Sequence, residues 1–244
     1  MSYNVCWEAL DAAKTKIDMT KCIANNKNKC MLNICNIINT RLLDNYDFIC
    51  LQEINEKQMN RISKYLTLDN YKIIIKNIQK SGIMILYNKK YKLLKKYSGN
   101  LINANIDKRP YIISIFANNI VLINLHMPHI YQNEAFNILK NKLSHTSTLV
   151  NNKTIYIMCG DFNNNSPHLL SSFTELLPNN KLRFVKEPKK IKTCCNPNGY
   201  SYKLSYDHIY ISSNMKYTQY KTINKKEMSK YMSDHLPVIC FIAK

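Results

Sequence analysis

The chain has 244 residues, 45% of them hydrophobic, and a formal net charge of +19 from 35 Lys and Arg against 16 Asp and Glu. That composition excludes wholesale disorder and supplies a sizeable core. No apolar run reaches the ~18 residues of a membrane span, and the opening MSYNVCWEAL lacks the basic and apolar stretches of a secretion signal. A soluble, intracellular protein, cytoplasmic or nuclear, is expected.

The charge has two readings. One is a surface for a polyanion, nucleic acid above all. The other is coding composition, because Arg occurs only at 41, 61, 109 and 183 while Lys, Asn, Ile and Tyr are abundant. The nine cysteines show no C-x-x-C pair or Cys/His ligand spacing, so neither a zinc site nor a disulfide framework is indicated. They read as reduced core residues.

In chain order, a strand-like SYNVCW (2–7) is followed by helical spacing over Cys30–Leu43 and a strand DFICLQ (47–52). A helix over Glu56–Leu66 precedes YKIIIKN (71–77) and GIMILYN (82–88), which have no helix between them and predict an antiparallel hairpin. The segments 109–116 and 120–126 repeat that pattern. A helix over Glu134–Val150 leads to TIYIMCG (154–160), then a helix over Ser166–Leu177 opened by Ser-Pro. The strands LRFVK, DHIYIS and HLPVICFIA close the chain. Mixed hairpins and helices without repeats or a linker predict one α+β domain over 1–244, two packed sheets with helices outside.

Polar residues fall at the ends of these strands. Glu53, His126 and Asp161 follow or end DFICLQ, IVLINLH and TIYIMCGD, whereas Asp207, Asp234 and His235 stand at strand starts. In an antiparallel sheet one strand's end lies beside its neighbour's start, so all six gather on one rim. The carboxylates Glu53, Asp161, Asp207 and Asp234 would repel one another there unless a cation intervened. A hard divalent ion with oxygen ligands is the usual remedy. Two histidines add phosphate donors or proton carriers, and the amides of Asn4, Asn124 and Asn163 add neutral donors. Such a set suits hydrolysis of a phosphate ester. Each motif alone also fits an ordinary turn or cap; the weight lies in their joint occurrence.

The ordered series Asn4 in SYNV, Gln52-Glu53 in ICLQEI, Asn124 and His126 in INLH, Gly160-Asp161-Phe162-Asn163, Asp207 in YDHIYIS and Ser233-Asp234-His235 resembles the endonuclease/exonuclease/phosphatase superfamily, the deoxyribonuclease I-like phosphodiesterases. The resemblance implies a four-layer α/β/β/α sandwich of two mainly antiparallel sheets flanked by helices. It implies Mg²⁺, with Mn²⁺ as a possible substitute, held by Glu53 with Asp234 close by. It casts Asp161 as the group that orients or deprotonates the attacking water, helped by Asn163 and Asn4. His235 would contact the scissile phosphate with its tautomer fixed by Asp207. His126 would be a second phosphate contact and possible general acid, and Arg109 and Asn124 would face substrate phosphate.

Which ester is less legible. Ile54-Asn55 after Gln-Glu and Cys6-Trp7-Glu8 after the first motif depart from the abasic-site endonuclease pattern. A DNA or RNA nuclease, or an end-processing phosphodiesterase, is the leading expectation. Lys-rich segments at 89–96, 186–192 and 221–230 with Tyr91, Tyr97, Tyr220 and Tyr231 would track a backbone and stack bases, or simply form a solvated surface. The alternatives are a phosphatase or phosphodiesterase for lipid or small phosphoesters, and an inactive nucleic-acid-binding relative.

Overall fold

A computed structural model describes residues 1–10, 29–78, 81–102, 108–146, 149–164, 177, 183–185, 187–195, 202–224, 227 and 233–243. Among these residues the first sheet has six strands, β1 (Ser2–Asn4), β2 (Phe48–Gln52), β3 (Tyr71–Lys76), β4 (Ile83–Asn88), β11 (Lys216–Thr222) and β12 (Val238–Ala243), in the order β11-β12-β1-β2-β4-β3. The second sheet also has six, β5 (Leu93–Asn100), β6 (Pro110–Phe116), β7 (Ile120–His126), β8 (Ile155–Asp161), β9 (Phe184–Val185) and β10 (Asp207–Ser212), in the order β5-β6-β7-β8-β10-β9. The hairpins β3/β4 and β6/β7 stand where the sequence predicts them.

The layers follow from side-chain alternation along strands that are buried on both faces. Cys50, Ile83, Ile85, Leu122, Cys159 and Ile209 point between the sheets. Their neighbours Ile49, Leu51, Met84 and Leu86 face outward under helix α2 (Lys29–Leu43), through Ile34 and Ile38, and under helix α3 (Glu56–Ile62), through Met59 and Ile62. On the far side Ile123, Leu125, Tyr156 and Met158 pack under Phe136 and Leu139 of helix α4 (Gln132–Ser144). A one-turn helix α1 (Trp7–Leu10) follows β1. The expected four-layer sandwich is therefore present.

Some elements differ from expectation. Helix α4 ends at Ser144, six residues early, where the Ser144 and Thr146 hydroxyls donate to the carbonyls of Asn141 and Leu143 and take them from the helix ladder. The helix expected over Ser166–Leu177 lies outside the described residues, Leu177 excepted. Strands β5 and β11 were not foreseen, because both are edges written largely in Lys, Tyr, Ser and Gln. Cys35, Cys50, Cys159 and Cys240 are free thiols as expected. Cys30, Cys194 and Cys195 are not; the last two, adjacent in sequence, are joined to each other.

Among the described residues two pairings are parallel, and both matter. Parallel β1 and β2 bring Asn4 beside Gln52, and parallel β7 and β8 bring His126 beside Asp161. Antiparallel β10 then sets Asp207 opposite Asp161. Strand ends meet on one rim through both kinds of pairing, not through antiparallel neighbours alone.

Candidate active site

Site residues occupy the inward register of their strands. The face that carries Cys50, Leu122 and Cys159 toward the core ends, two residues on, in Gln52, Asn124 and Asp161. A layer that is apolar for most of its length therefore becomes polar at one rim.

The Asn4 amide is the hinge of the arrangement. Its Nδ2 donates to Glu53 Oε1 at 3.2 Å and to Asp161 Oδ2 at 2.9 Å, while its Oδ1 accepts from the Cys6 amide at 3.0 Å. Glu53 Oε2 accepts from the Trp7 amide at 3.2 Å. Asp161 Oδ1 accepts from the Asn163 amide at 2.8 Å, and Asn163 Nδ2 ties back to the Met127 carbonyl at 2.8 Å. His235 Nε2 lies 3.8 Å from Asp161 Oδ2, and its Nδ1 lies 2.8 Å from Asp207 Oδ2. His126 Nε2 lies 3.6 Å from Asp161 and 4.0 Å from Glu53. Asp234, buried next to His235, adds its charge to that of Glu53.

Four non-glycine residues hold left-handed backbone in or beside the site: Cys6 (φ 54°), Glu53 (58°), Tyr131 (61°) and Asn163 (49°). Such conformations are costly for most side chains and gather where function over-determines them. Gly160 is fixed by the same logic. At φ 152°, any Cβ would run into the Leu125 carbonyl of the neighbouring parallel strand.

Protonation is strongly displaced. Burial, reinforced by Asp234 and Asp161 and opposed by His235 and Asn4, pushes the Glu53 carboxyl up to about 7. Burial and Asp207 push Asp161 up to about 6 against the pull of His235. His235 goes the other way for a histidine. Burial disfavours its charge, but Asp207, Asp161 and Asp234 outweigh that and hold it protonated well above the usual range. His126 is held neutral by burial, with the Arg109 guanidinium, His235 and His129 adding to the effect.

The donor set fits a hard divalent cation. Glu53 is the most open of these carboxylates, with 20% of its side chain exposed against 2% for Asp161 and none for Asp207. Glu53 and Asp161 resist ionisation as they stand, and a positive charge beside Glu53 and Asp234 would relieve both. Asp161, Asp207 and His235 are close enough to share an ion, but Asp207 and His235 are committed to each other through Nδ1.

Of the two expected substrate contacts, Asn124 lies elsewhere and Arg109 stands at the rim. Asn124 is fully buried, accepts from Gln52 Nε2 at 2.8 Å, and donates to the carbonyls of Leu51 at 3.2 Å and Met84 at 2.8 Å. It clasps the two sheets and cannot turn to a phosphate. Arg109 Nη1 reaches His126 Nε2 at 2.6 Å, so guanidinium and imidazole form one unit at the rim. Partners that sequence reasoning missed include Ser233, whose hydroxyl donates to the Asn4 carbonyl at 2.6 Å and accepts from the His235 amide at 3.0 Å. Thr193 Oγ1 accepts from the Asp207 amide at 3.1 Å, and Cys194 Sγ lies 3.3 Å from His235 Nε2.

The basic segments are also redistributed. Residues 89–92 lie at the far end of the sandwich, since Asn88 closes β4 opposite the end where Ile83 pairs with Gln52. Tyr91 packs on Phe48 and Phe116, and Tyr220 is buried, so neither is open to a base. Exposed lysines next in sequence to site elements are Lys108, Lys192 and Lys203. Lys225–Tyr231, apart from Glu227, lies outside the described residues. No helix among the described residues is long and apolar enough to cross a membrane.

No family model matches the sequence. The chain is 29% identical over 268 residues to the uncharacterized protein L684 of Acanthamoeba polyphaga mimivirus, a match covering 100% of this chain and 50% of the relative. The chain thus spans about half the length of the curated relative it matches. Danio rerio TDP2, solved with a single-strand DNA product, superposes with a TM-score of 0.67 at 14% identity over 100% of this chain and 97% of that one. A mannosyl-6-phosphatase of Bacteroides thetaiotaomicron gives 0.65 at 16% identity, covering 100% and 98%. An endonuclease/exonuclease/phosphatase family protein from the same bacterium gives 0.62 at 17%, covering 97% and 91%. Motif order, layer order and these superpositions agree: the chain has the fold of the endonuclease/exonuclease/phosphatase superfamily.

Proposed function

We propose that the chain is a divalent-cation-dependent hydrolase of phosphate esters, acting on DNA or RNA as an endonuclease, exonuclease or end-processing phosphodiesterase, with 1–244 working as one domain. The observation that carries this reading is the Asn4 amide bridging Glu53 and Asp161, with the charged His235–Asp207 pair 3.8 Å away. A group of opposed charges held this close, in backbone this strained, makes sense around a phosphate.

When bound, Mg²⁺, or Mn²⁺ in its place, would be held by Glu53 and Asp234 and would supply Lewis-acid charge at a phosphate oxygen. The protein's own groups divide the remaining work. Asp161, its Oδ1 fixed by Asn163 and its Oδ2 by Asn4, orients a water and takes its proton as the oxygen attacks phosphorus. His235, kept protonated, donates Nε2–H to a non-bridging oxygen where charge grows in the transition state. Asp207 holds the opposite nitrogen and so fixes the tautomer. Neutral His126 accepts from Arg109 and aims that guanidinium at the phosphate. In this state His126 has no proton at Nε2 to give a leaving oxygen, which argues for a contact role over that of general acid.

Nucleic acid is favoured by the +19 charge and by the TDP2 complex with single-strand DNA on the same fold. Small phosphoesters are the second reading, because a mannosyl-6-phosphatase shares the fold as closely. A gel assay with Mg²⁺ or with EDTA, on plasmid, single-stranded DNA and RNA, separates them. EDTA-sensitive degradation supports the first reading. Hydrolysis confined to a small chromogenic ester supports the second, and silence on every substrate leaves only a binding protein.

A further inference from the structure

Immediately after His126 the chain runs Met127-Pro128-His129-Ile130-Tyr131 into α4, and the last two side chains are 62% and 59% exposed. Two large apolar groups side by side in water are unfavourable, and Tyr131 is badly suited to its place on two further counts. Its backbone is left-handed, at φ 61°, a conformation bulky residues avoid. It is also the residue preceding the helix, and its side chain accepts no helix amide. Asn, which tolerates left-handed backbone, would relieve the exposure and the conformational cost together. A residue that breaks several local rules together marks selection for something other than stability.

The segment is also pinned to the site. The Met127 amide donates to the Asp161 carbonyl at 2.8 Å and the Met127 carbonyl accepts from Asn163 Nδ2 at 2.8 Å. Gln132 Nε2 donates to the carbonyls of Pro128 at 3.0 Å and Phe162 at 3.2 Å, and its Oε1 accepts from Asn164 at 2.8 Å. Tyr131 therefore stands at a fixed offset from the Asp161–Asn163 loop. An exposed ring on a backbone pinned to the site loop has the form of a stacking surface, since every base offers a face whatever the sequence.

We propose that Tyr131, flanked by Ile130, is a platform that stacks an unpaired base next to the scissile phosphate. The proposal rests on the nucleic-acid reading above and assigns its substrate class as single-stranded or splayed ends. The test compares kcat/KM, in Mg²⁺, for a single-stranded thymidine oligomer and for the same backbone carrying tetrahydrofuran in place of every base.

Wild-type protein is expected to prefer the base-bearing oligomer by on the order of tenfold. Tyr131→Asn should bring that ratio close to one while melting no lower than wild type, and Tyr131→Phe should keep the preference. Should the Asn variant not fold, Tyr131→Gly, which suits the same backbone, replaces it. An unchanged ratio in the Asn or Gly variant, or no preference in a wild type that cleaves both oligomers, overturns the platform and leaves the nuclease reading standing. Cleavage of neither oligomer by wild type overturns the platform, and the nuclease reading falls with it only if plasmid and RNA are also left intact.

Discussion

Replacing Glu53 by Gln should make the cation-free protein more stable, and only at neutral or alkaline pH. Folding raises the proton affinity of this carboxyl from 4.5 to about 7. Below 4.5 the group is protonated in both states and costs nothing. Between 4.5 and 7 the unfolded chain ionises first, so stability falls as pH rises; above 7 the folded protein carries the whole penalty, about 3 kcal/mol. Gln keeps an oxygen for Asn4 or Trp7 and loses at most one charge-assisted hydrogen bond, worth about 1.5 kcal/mol or somewhat more. The net gain at pH 8 is at most about 1.5 kcal/mol, or roughly 3–6 °C in Tm for a chain of this size.

The assay is thermal unfolding of both proteins at pH 5 and pH 8, in EDTA and across a Mg²⁺ titration. Wild type should gain Tm with Mg²⁺ at pH 8 as ligand binding draws the equilibrium toward the folded state. The variant should start higher and gain little. A Gln variant that melts at or below wild type in EDTA at pH 8, or that keeps the full Mg²⁺ response, would refute the claim that Glu53 is a carboxylate waiting for a cation.

Asp161→Asn and His235→Ala should each lower kcat by two or more orders of magnitude, on the scale seen when a catalytic base or phosphate donor is removed, with far-ultraviolet circular dichroism unchanged; near-wild-type turnover in either would reject the assigned roles. Asp207→Asn removes the leading charge that keeps His235 protonated, so the alkaline limb of the kcat/KM profile should move to lower pH by at least about one unit; a limb that stays put would mean another group sets it. Gln52→Leu and Asn124→Leu should each cost about 1–3 kcal/mol in urea unfolding by orphaning the other's amide, and the double variant should cost less than their sum; strict additivity would deny the clasp between sheets.

Much of the fold could be read because the inter-sheet strands are buried on both faces and spelled in Ile, Val, Leu and Cys. What escaped reading has physical causes. Strands β5 and β11 are edges, where lysine discourages pairing with other chains, so their pattern imitates a basic patch. The parallel pairing of β1 with β2 and of β7 with β8 depends on crossovers that leave no local mark. Asn124 stood in the right motif, but sequence order cannot tell an amide that faces a substrate from one that bridges two layers. Thr193, Ser233 and Trp7 act through backbone groups or through side chains that touch backbone, which residue type does not disclose. Tyr131 had a signal in principle, an aromatic where a helix start calls for Asn or Asp, though recognising it requires knowing where α4 begins.

The last strand of the first sheet, β12, lies between β11 and β1, and Ser233 reaches back to Asn4 across 229 residues of chain. During synthesis β1 must wait, half-paired, until β12 has been made. Asp207, Asp234 and His235 emerge from the ribosome long after Glu53 and Asp161. A growing chain therefore has no assembled rim until β12 closes the sheet.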